Sequence, residues 1–492
     1  MTTDKKFNLI DEQWIPIRER GLFSLRDIFS DPSLRRIGGN PIQKTAIFKL
    51  LCAIAQAAWT PKTEEEWRQS TVEDFCRKCL AYLEKWHEKF WLYGDEPFLQ
   101  VPAVADLTVK VYSFATLNLE KASGNTTVLT QFQLQAEPTD ADKALLLVTL
   151  MCFAIGGKKA DNSKVLTPGY KGKSKSGKAG ASLGTRGYLH SYVLADSVAS
   201  TVWLNLFSEE RLSKLPCFPE GVGTAPWEKM PAGEDCDVAR KLKDSLMGRL
   251  VPLGRFCLLT DDGMYCTEGI AHDDHQSGRF DPTQSVERKK NKFNSLWADP
   301  DKKPWRSLTS ILSFLGSQDA SRYVCCQVEL GMSRARDCFE SVELWSGGVS
   351  VTYQSGEQYM AGSDDFVESC FDFSPQDVGE QFFETFSASV EQLDRLSKQL
   401  YKCVLGYYTA MGTEGKTMAG RAASQFWEIA GLHAQELIDS CVPGEDPEPV
   451  RYFFRATMRN TYNESCPHFT PRQLQAWAKF NLMHHRKEKN DE

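Results

Sequence analysis

No stretch of this 492-residue chain is apolar for long enough to span a bilayer. The most apolar run, Ala144 to Ile155 (ALLLVTLMCFAI), is about half the ~20 residues a membrane helix needs, so a buried helix is expected there. The opening MTTDKKFNLIDEQW lacks the apolar run of a signal peptide. Cysteine is present but unpatterned. Fifteen are scattered from Cys52 to Cys466 without regular spacing, which excludes the disulfide framework of a small secreted domain and makes a reducing cytoplasm the expected location. An excess of positive charge is also missing. The 58 Lys and Arg against 65 Asp and Glu leave a net charge of −7, so the chain is no polycation that grips nucleic acid over its whole surface. Any contact with a polyanion must be local or shared with partner subunits. With 41% apolar and 25% charged residues the composition is that of a globular protein of two or more domains.

Against that acidic background one stretch stands out, Gly156 to Gly187 (GGKKADNSKVLTPGYKGKSKSGKAGASLGTRG). It holds Lys158, Lys159, Lys164, Lys171, Lys173, Lys175, Lys178 and Arg186 against a single acid, Asp161. Its glycines let the backbone take positive φ and approach a ligand closely. Too little of it is apolar to hold a helix or strand. Such a stretch is either a flexible linker or a surface that orders on a polyanion, and charge clustered on an otherwise acidic chain favours nucleic acid. Two further basic stretches follow. Val286 to Arg306 carries Arg288, Lys289, Lys290 and Lys292 among Phe293, Trp297 and Trp305, a mixture suited to phosphate and base contact, with a solvated loop as the alternative. Gly331 to Asp337 (GMSRARD) adds Arg334 and Arg336 after the strand-like YVCCQVEL. Three separated basic loops point to one composite groove.

The remaining chain reads as an α+β protein. Phe7 to Ile17 suits an edge strand or hairpin with Trp14 in the core. Pro41 to Trp59 is a helix with Ile47, Leu50, Leu51, Ile54 and Ala55 on one face. Thr71 to Phe90 is a second helix, whose Cys76 and Cys79 form a CxxC without a second ligand pair, hence buried thiols ahead of a zinc site. Asp262-Gly263 marks a hairpin turn. It is followed by His272, Asp273, Asp274 and His275, residue types for a metal-dependent nuclease or phosphohydrolase but at a spacing that fits no closed metal motif; a polar loop is the other reading. From Ser374 the pattern turns helical, with segments Pro375–Gly406, Lys416–Cys441, Pro449–Ser465 and Pro471–Lys489. A mixed domain over 1–373 and a four-helix bundle over 374–492 are therefore expected.

Four landmarks in order resemble one known family: NLIDEQWIPI, the FWLYGDEPFLQ box, the SGN loop before the apolar helix, and the glycine stretch followed by STVWLNL. The family is the large subunit, CasA, of the type I-E CRISPR Cascade complex. The resemblance implies a subunit without catalysis or cofactor that recognises the PAM in double-stranded DNA, starts unwinding for the R-loop, and supports recruitment of the helicase-nuclease. Its implied partners are the other Cascade subunits, the guide CRISPR RNA and the target duplex, with no membrane. By the same resemblance the minor-groove glycine loop falls on Gly177, Lys178, Ala179 and Gly180, departing from the family's glycine run at Lys178 and Ala179. The PAM-contacting lysine falls on Lys289. The wedge that enters the duplex falls on Ser333, Arg334 and Ala335. The contact to the guide's 5′ handle falls on Asn125, Thr126, Thr127, Val128, Leu129, Thr130 and Gln131.

Overall fold

The structure, a computed structural model, describes residues 4–107, 110–117, 137–153, 165–166, 182–290, 292–316, 322–354, 357–360 and 365–481. Two compact units emerge, Met1–Pro304 with Ser321–Cys370, and Trp305–Ala320 with Phe371–Glu492. The second unit thus takes in a mid-chain segment that a division at residue 373 leaves in the first.

The first unit is built around the helix Pro41–Ala58. Asn40 and Gln43 cap it reciprocally, and Pro41 sits at a first-turn position where no donor is needed. Its apolar residues are not confined to one face: Ile42, Ala46, Ile47, Phe48, Leu50, Leu51 and Ile54 are each at most 1% exposed. A helix apolar on all sides must be covered on all sides. The helices Val72–Lys85, Asp140–Cys152 and Val198–Leu204 and the strand Val342–Val349 do this. The apolar run at Ala144 is accordingly a core helix, with Ala144, Leu147, Val148 and Met151 buried. Trp14 is fully buried, its indole N–H donating to Leu9 O at 2.9 Å.

Small sheets accompany these helices, one of them packed on the central helix through Val342–Val349. The strands Phe366–Phe373, Val342–Val349 and His190–Leu194 form one in that spatial order, with Trp345 opposite Tyr192. Val111–Tyr112, Met264–Glu268 and Arg255–Leu259 form a second, whose hairpin closes at the expected Asp-Gly turn. A third joins Lys292–Ser295, Val286–Lys289 and Tyr323–Val324. The strand expected over YVCCQVEL stops at Val324; Cys326–Cys338 is a helix. Alternation misleads there because the polar residue between the apolar ones, Gln327, is also buried, bonded to Asn205 O.

The second unit is helical among its described residues. Its long helix Glu380–Ala410 packs against Lys416–Leu432, Glu448–Ser465 and Pro471–Lys479. The helix expected over Lys416–Cys441 breaks at His433 and resumes as Ala434–Asp439. Among the described residues no helix is long and apolar enough to cross a membrane.

Candidate nucleic-acid interface

The antiparallel hairpin Val286–Lys289/Lys292–Ser295 carries the second basic stretch. Lys290 takes φ 57°, the left-handed conformation a tight hairpin turn requires. Pairing sets Lys289 directly opposite Lys292, and Arg288 opposite Phe293 with its guanidinium 5.9 Å from the ring. Arg288, Lys289, Lys290 and Lys292 are all exposed, and among the described residues none of them pairs with a carboxylate. Like charges directly across a hairpin repel, at a cost of a few tenths to about 1 kcal/mol. An anion between them reverses the sign of that contribution. At the hairpin's base Glu287 is buried and accepts from Asn294 at 3.3 Å, and Gln276 donates to Phe293 O.

The chain returning from the glycine-rich stretch runs along this hairpin. Leu189 N donates to Leu296 O at 3.0 Å, Ala298 N donates to Gly187 O at 2.8 Å, and Tyr188 bridges to Trp297. The Tyr188 and Trp297 rings stack at 4.7 Å, and the Arg186 guanidinium lies 5.8 Å from the Trp297 ring. Gly187 is required at this turn: its φ is 89°, and a Cβ would lie 1.7 Å from Val349 O. The described end of the first basic stretch, with Arg186, is thereby set beside residues a hundred positions later in the chain. Of the aromatics expected between the cations, Phe293 and Trp297 remain partly exposed, whereas Trp305 is buried against Trp427 in the second unit. Gly177, Lys178, Ala179 and Gly180 lie outside the described residues, as do Asn125, Thr126, Thr127, Val128, Leu129, Thr130 and Gln131.

The third basic stretch does not present Arg334 to solvent. Arg334, expected as an exposed wedge beside a strand, is 3% exposed on the helix Cys326–Cys338. Its guanidinium makes two 3.0 Å bonds to Glu64, donates to Leu204 O at 3.1 Å and to Leu206 O, and lies 4.1 Å from the Trp67 ring. Burial lowers the Arg334 pKa against the pull of Glu64. Burial alone would raise the Glu64 carboxyl, but Arg334 and Ser208 hold it below the usual range. Ala335 is also buried, so Ser333 alone of the expected wedge faces solvent. Four of its five N–H donors are spent on the fold, and its burial keeps the guanidinium from a base step.

The four residues of the metal alternative point apart. His272 Nε2 donates to Pro252 O at 2.6 Å; Asp274 caps Gln276 N at 2.9 Å; His275 Nδ1 meets Tyr188 OH at 2.9 Å. Asp273 is exposed, and its carbonyl accepts from Arg249. Burial pushes His272 down to about 3, so it is neutral. Among the described residues no group of three or more His, Cys, Asp or Glu converges to hold a metal. In the CxxC, Cys79 is buried and burial pushes the Cys76 thiol up to about 11.

One buried cluster escaped the sequence reading. Lys49, in the middle of the central helix, pairs with Asp281, and its Nζ donates to Ser182 Oγ at 2.7 Å; all three side chains are buried. Thr283 Oγ1 lies 2.7 Å from both Asp281 Oδ1 and His190 Nδ1, and His190 Nε2 donates to Ser182 O at 2.9 Å. Burial pushes His190 down to about 4. Burial alone would raise Asp281, but Lys49 and then His190 hold it at about 2. The signal was present: a lone lysine in the otherwise apolar run AIFKLLCAIA must find a buried carboxylate.

Residues 8–465 match the sequence model of a family described as CRISPR-associated protein Cse1. The chain belongs to that family. It is 31% identical over 171 residues to the CRISPR-associated protein CasA/Cse1 of Thermus thermophilus, a stretch that covers 31% of this chain and 32% of that relative. The crystal structure of Thermobifida fusca Cse1 superposes with a TM-score of 0.76 at 19% identity, covering 97% of both chains. A crystal structure of Thermus thermophilus CasA gives 0.72 at 17% identity over 98% of this chain and 99% of its own. A chain of a structure titled CRISPR RNA-guided surveillance complex gives 0.68 at 15% identity over the same shares. At these identities the structures establish a shared Cse1 fold over nearly the full length.

Proposed function

We infer that this Cse1-family chain is the large subunit of a type I-E Cascade surveillance complex and that its work is recognition without chemistry. In this reading it engages the PAM-bearing duplex with the hairpin around Lys289 and the adjoining glycine-rich stretch, including Gly177, Lys178, Ala179 and Gly180. Local opening of the duplex follows, and the bound complex recruits the helicase-nuclease that cuts. The stretch from Asn125 to Gln131 contacts the guide RNA's handle. The observation that carries the reading is the antiparallel contact of residues 187–189 with 296–298, beside a hairpin whose facing lysines have no acidic partner among the described residues. A backbone that approaches a minor groove distinguishes mainly A·T from G·C and groove shape, so PAM tolerance is loose.

The test is binding of the assembled complex to a PAM-bearing duplex. Lys178→Ala and Lys289→Ala each remove a cation from the surface, and each weakens binding several-fold. Unchanged affinity in both variants moves the duplex site elsewhere on the chain.

A further inference from the structure

Inside the first unit, a cavity of about 160 Å³ lies between the central helix and the sheet that carries His190–Leu194 and Val342–Val349. Part of its lining is aromatic: Phe48 stacks on Tyr192 with ring centroids 3.8 Å apart, and the Trp345 ring lies 4.8 Å from Tyr192. The rest is charged. Arg36 is spent on Glu343, at 3.2 Å through Nε, and on Ala195 O at 2.7 Å. Lys44 is spent on Glu368 at 2.5 Å, which also accepts from Trp345 Nε1. Two cations are left over. Arg35 pairs with no described carboxylate, and among the described residues Arg18 ion-pairs with Glu19 alone, at 3.3 Å, both side chains so exposed that the pair contributes little. Tyr192 is 2% exposed, yet its hydroxyl makes no hydrogen bond to any described residue.

Buried polar groups are nearly always bonded, so a buried phenol lining a cavity with its donor unused calls for an acceptor. Four cations against two carboxylates give the lining two positive charges in excess, so the acceptor is an anion. The volume is below the about 300–1,000 Å³ of small-molecule sites, which excludes a nucleotide, and the two resident carboxylates disfavour a dianion such as phosphate. One carboxylate on an apolar arm matches the charge, the size and the aromatic lining. The cavity shares Arg18, Lys44, Glu368 and Cys370 with an open trough, which is lined by the consecutive residues Glu368, Ser369 and Cys370 and by the hairpin residues Ile17 and Leu22. Neighbouring strand residues point to opposite faces, so a trough lined by three in a row runs along the strand's edge. Among the described residues that strand, Phe366–Phe373, pairs within its sheet on one side only. An extended peptide can add to such an edge through its main chain, with a side-chain pocket supplying specificity. We propose that the trough and cavity bind an extended acidic segment of a partner polypeptide, one glutamate side chain entering the cavity to meet the Tyr192 hydroxyl and the spare charge of Arg18 and Arg35.

The test is calorimetric titration of the full chain with a blocked pentapeptide, acetyl-Thr-Val-Glu-Val-Thr-amide, whose single charge is the glutamate. It should bind at low salt with a Kd below about 1 mM, and the same peptide with glutamine in place of glutamate should bind at least about tenfold more weakly. Tyr192→Phe keeps the ring stack and removes the hydroxyl alone, and Arg35→Ala alters an exposed side chain, so both variants keep the fold. Each should weaken the glutamate peptide several-fold and leave the glutamine peptide unchanged. Absence of binding at several-millimolar peptide, or equal binding of the two peptides, overturns the proposal. Wild-type affinity for the glutamate peptide in either variant does so as well, because the peptide then sits elsewhere. A pentathymidylate that binds more tightly than the peptide and loses affinity in both variants would assign the cavity to nucleic acid and overturn the peptide reading.

Discussion

At the scale of single residues, the roles of the charged side chains follow from burial more than from charge. Arg334 and Lys289 both read as DNA contacts in the sequence, yet one is sealed against Glu64 and Trp67 and the other is exposed at a hairpin tip. Arg334→Ala leaves Glu64 without its partner, and the loss should be about 3 kcal/mol of stability, read from the shift in denaturant midpoint. R-loop formation by that variant should be affected equally on fully paired and pre-opened targets. A defect confined to paired targets, with stability unchanged, would restore the wedge. His190 gives a pH signature. Burial holds it neutral down to about 4, whereas the unfolded chain takes up a proton below about 6.5. The stabilisation is complete above pH 6.5, declines as pH falls from 6.5 to 4, and is then spent, a loss of roughly 3 kcal/mol if the whole shift is expressed. Asp281, held at about 2, adds a further loss of the same direction only as pH falls from about 4 to 2. Urea unfolding at pH 7, 6 and 5 checks this: the wild type should lose stability faster than His190→Asn, and parallel curves would contradict it.

At the scale of elements, the sequence was most legible where pattern and burial agree. Pro41–Ala58 was readable from its capping residues and apolar spacing, and the Asp262-Gly263 turn from its dipeptide. Periodicity failed where polar side chains are buried and satisfied. Gln327 and Arg334 turn Cys326–Cys338 into a helix covered on most sides, which alternation disguised as a strand. The break at His433 was hidden because helical spacing continues on either side of it. The turn joining the glycine-rich stretch to the hairpin is the element on which the candidate site depends. Gly187→Ala would place a Cβ against Val349 O at a positive φ, and should cost at least about 1–2 kcal/mol and weaken duplex binding more than its stability loss accounts for. Binding that tracks stability alone would separate this turn from the site.

At the scale of the whole molecule, the acidity of the chain and its basic hairpin are compatible because four cations are concentrated at one turn, beside which folding sets Arg186 against Trp297. Residues 187–189 and 296–298 are remote in sequence, and nothing in their spacing announces that they pair; family resemblance led to the right family but not to that contact. A chain of net charge −7 has no broad field with which to hold DNA alone, so the isolated subunit should bind duplex weakly and without PAM preference, gaining both in the assembled complex. The most direct test of duplex recognition at the hairpin is the salt dependence of binding by that complex. Removing a cation that neutralises one phosphate of B-form DNA should reduce the slope of log K against log salt by about 0.9, so Lys289→Ala with Lys292→Ala should lower it by nearly two. A slope equal to that of the wild type would mean that these lysines meet no phosphate, and duplex recognition at the hairpin would be contradicted.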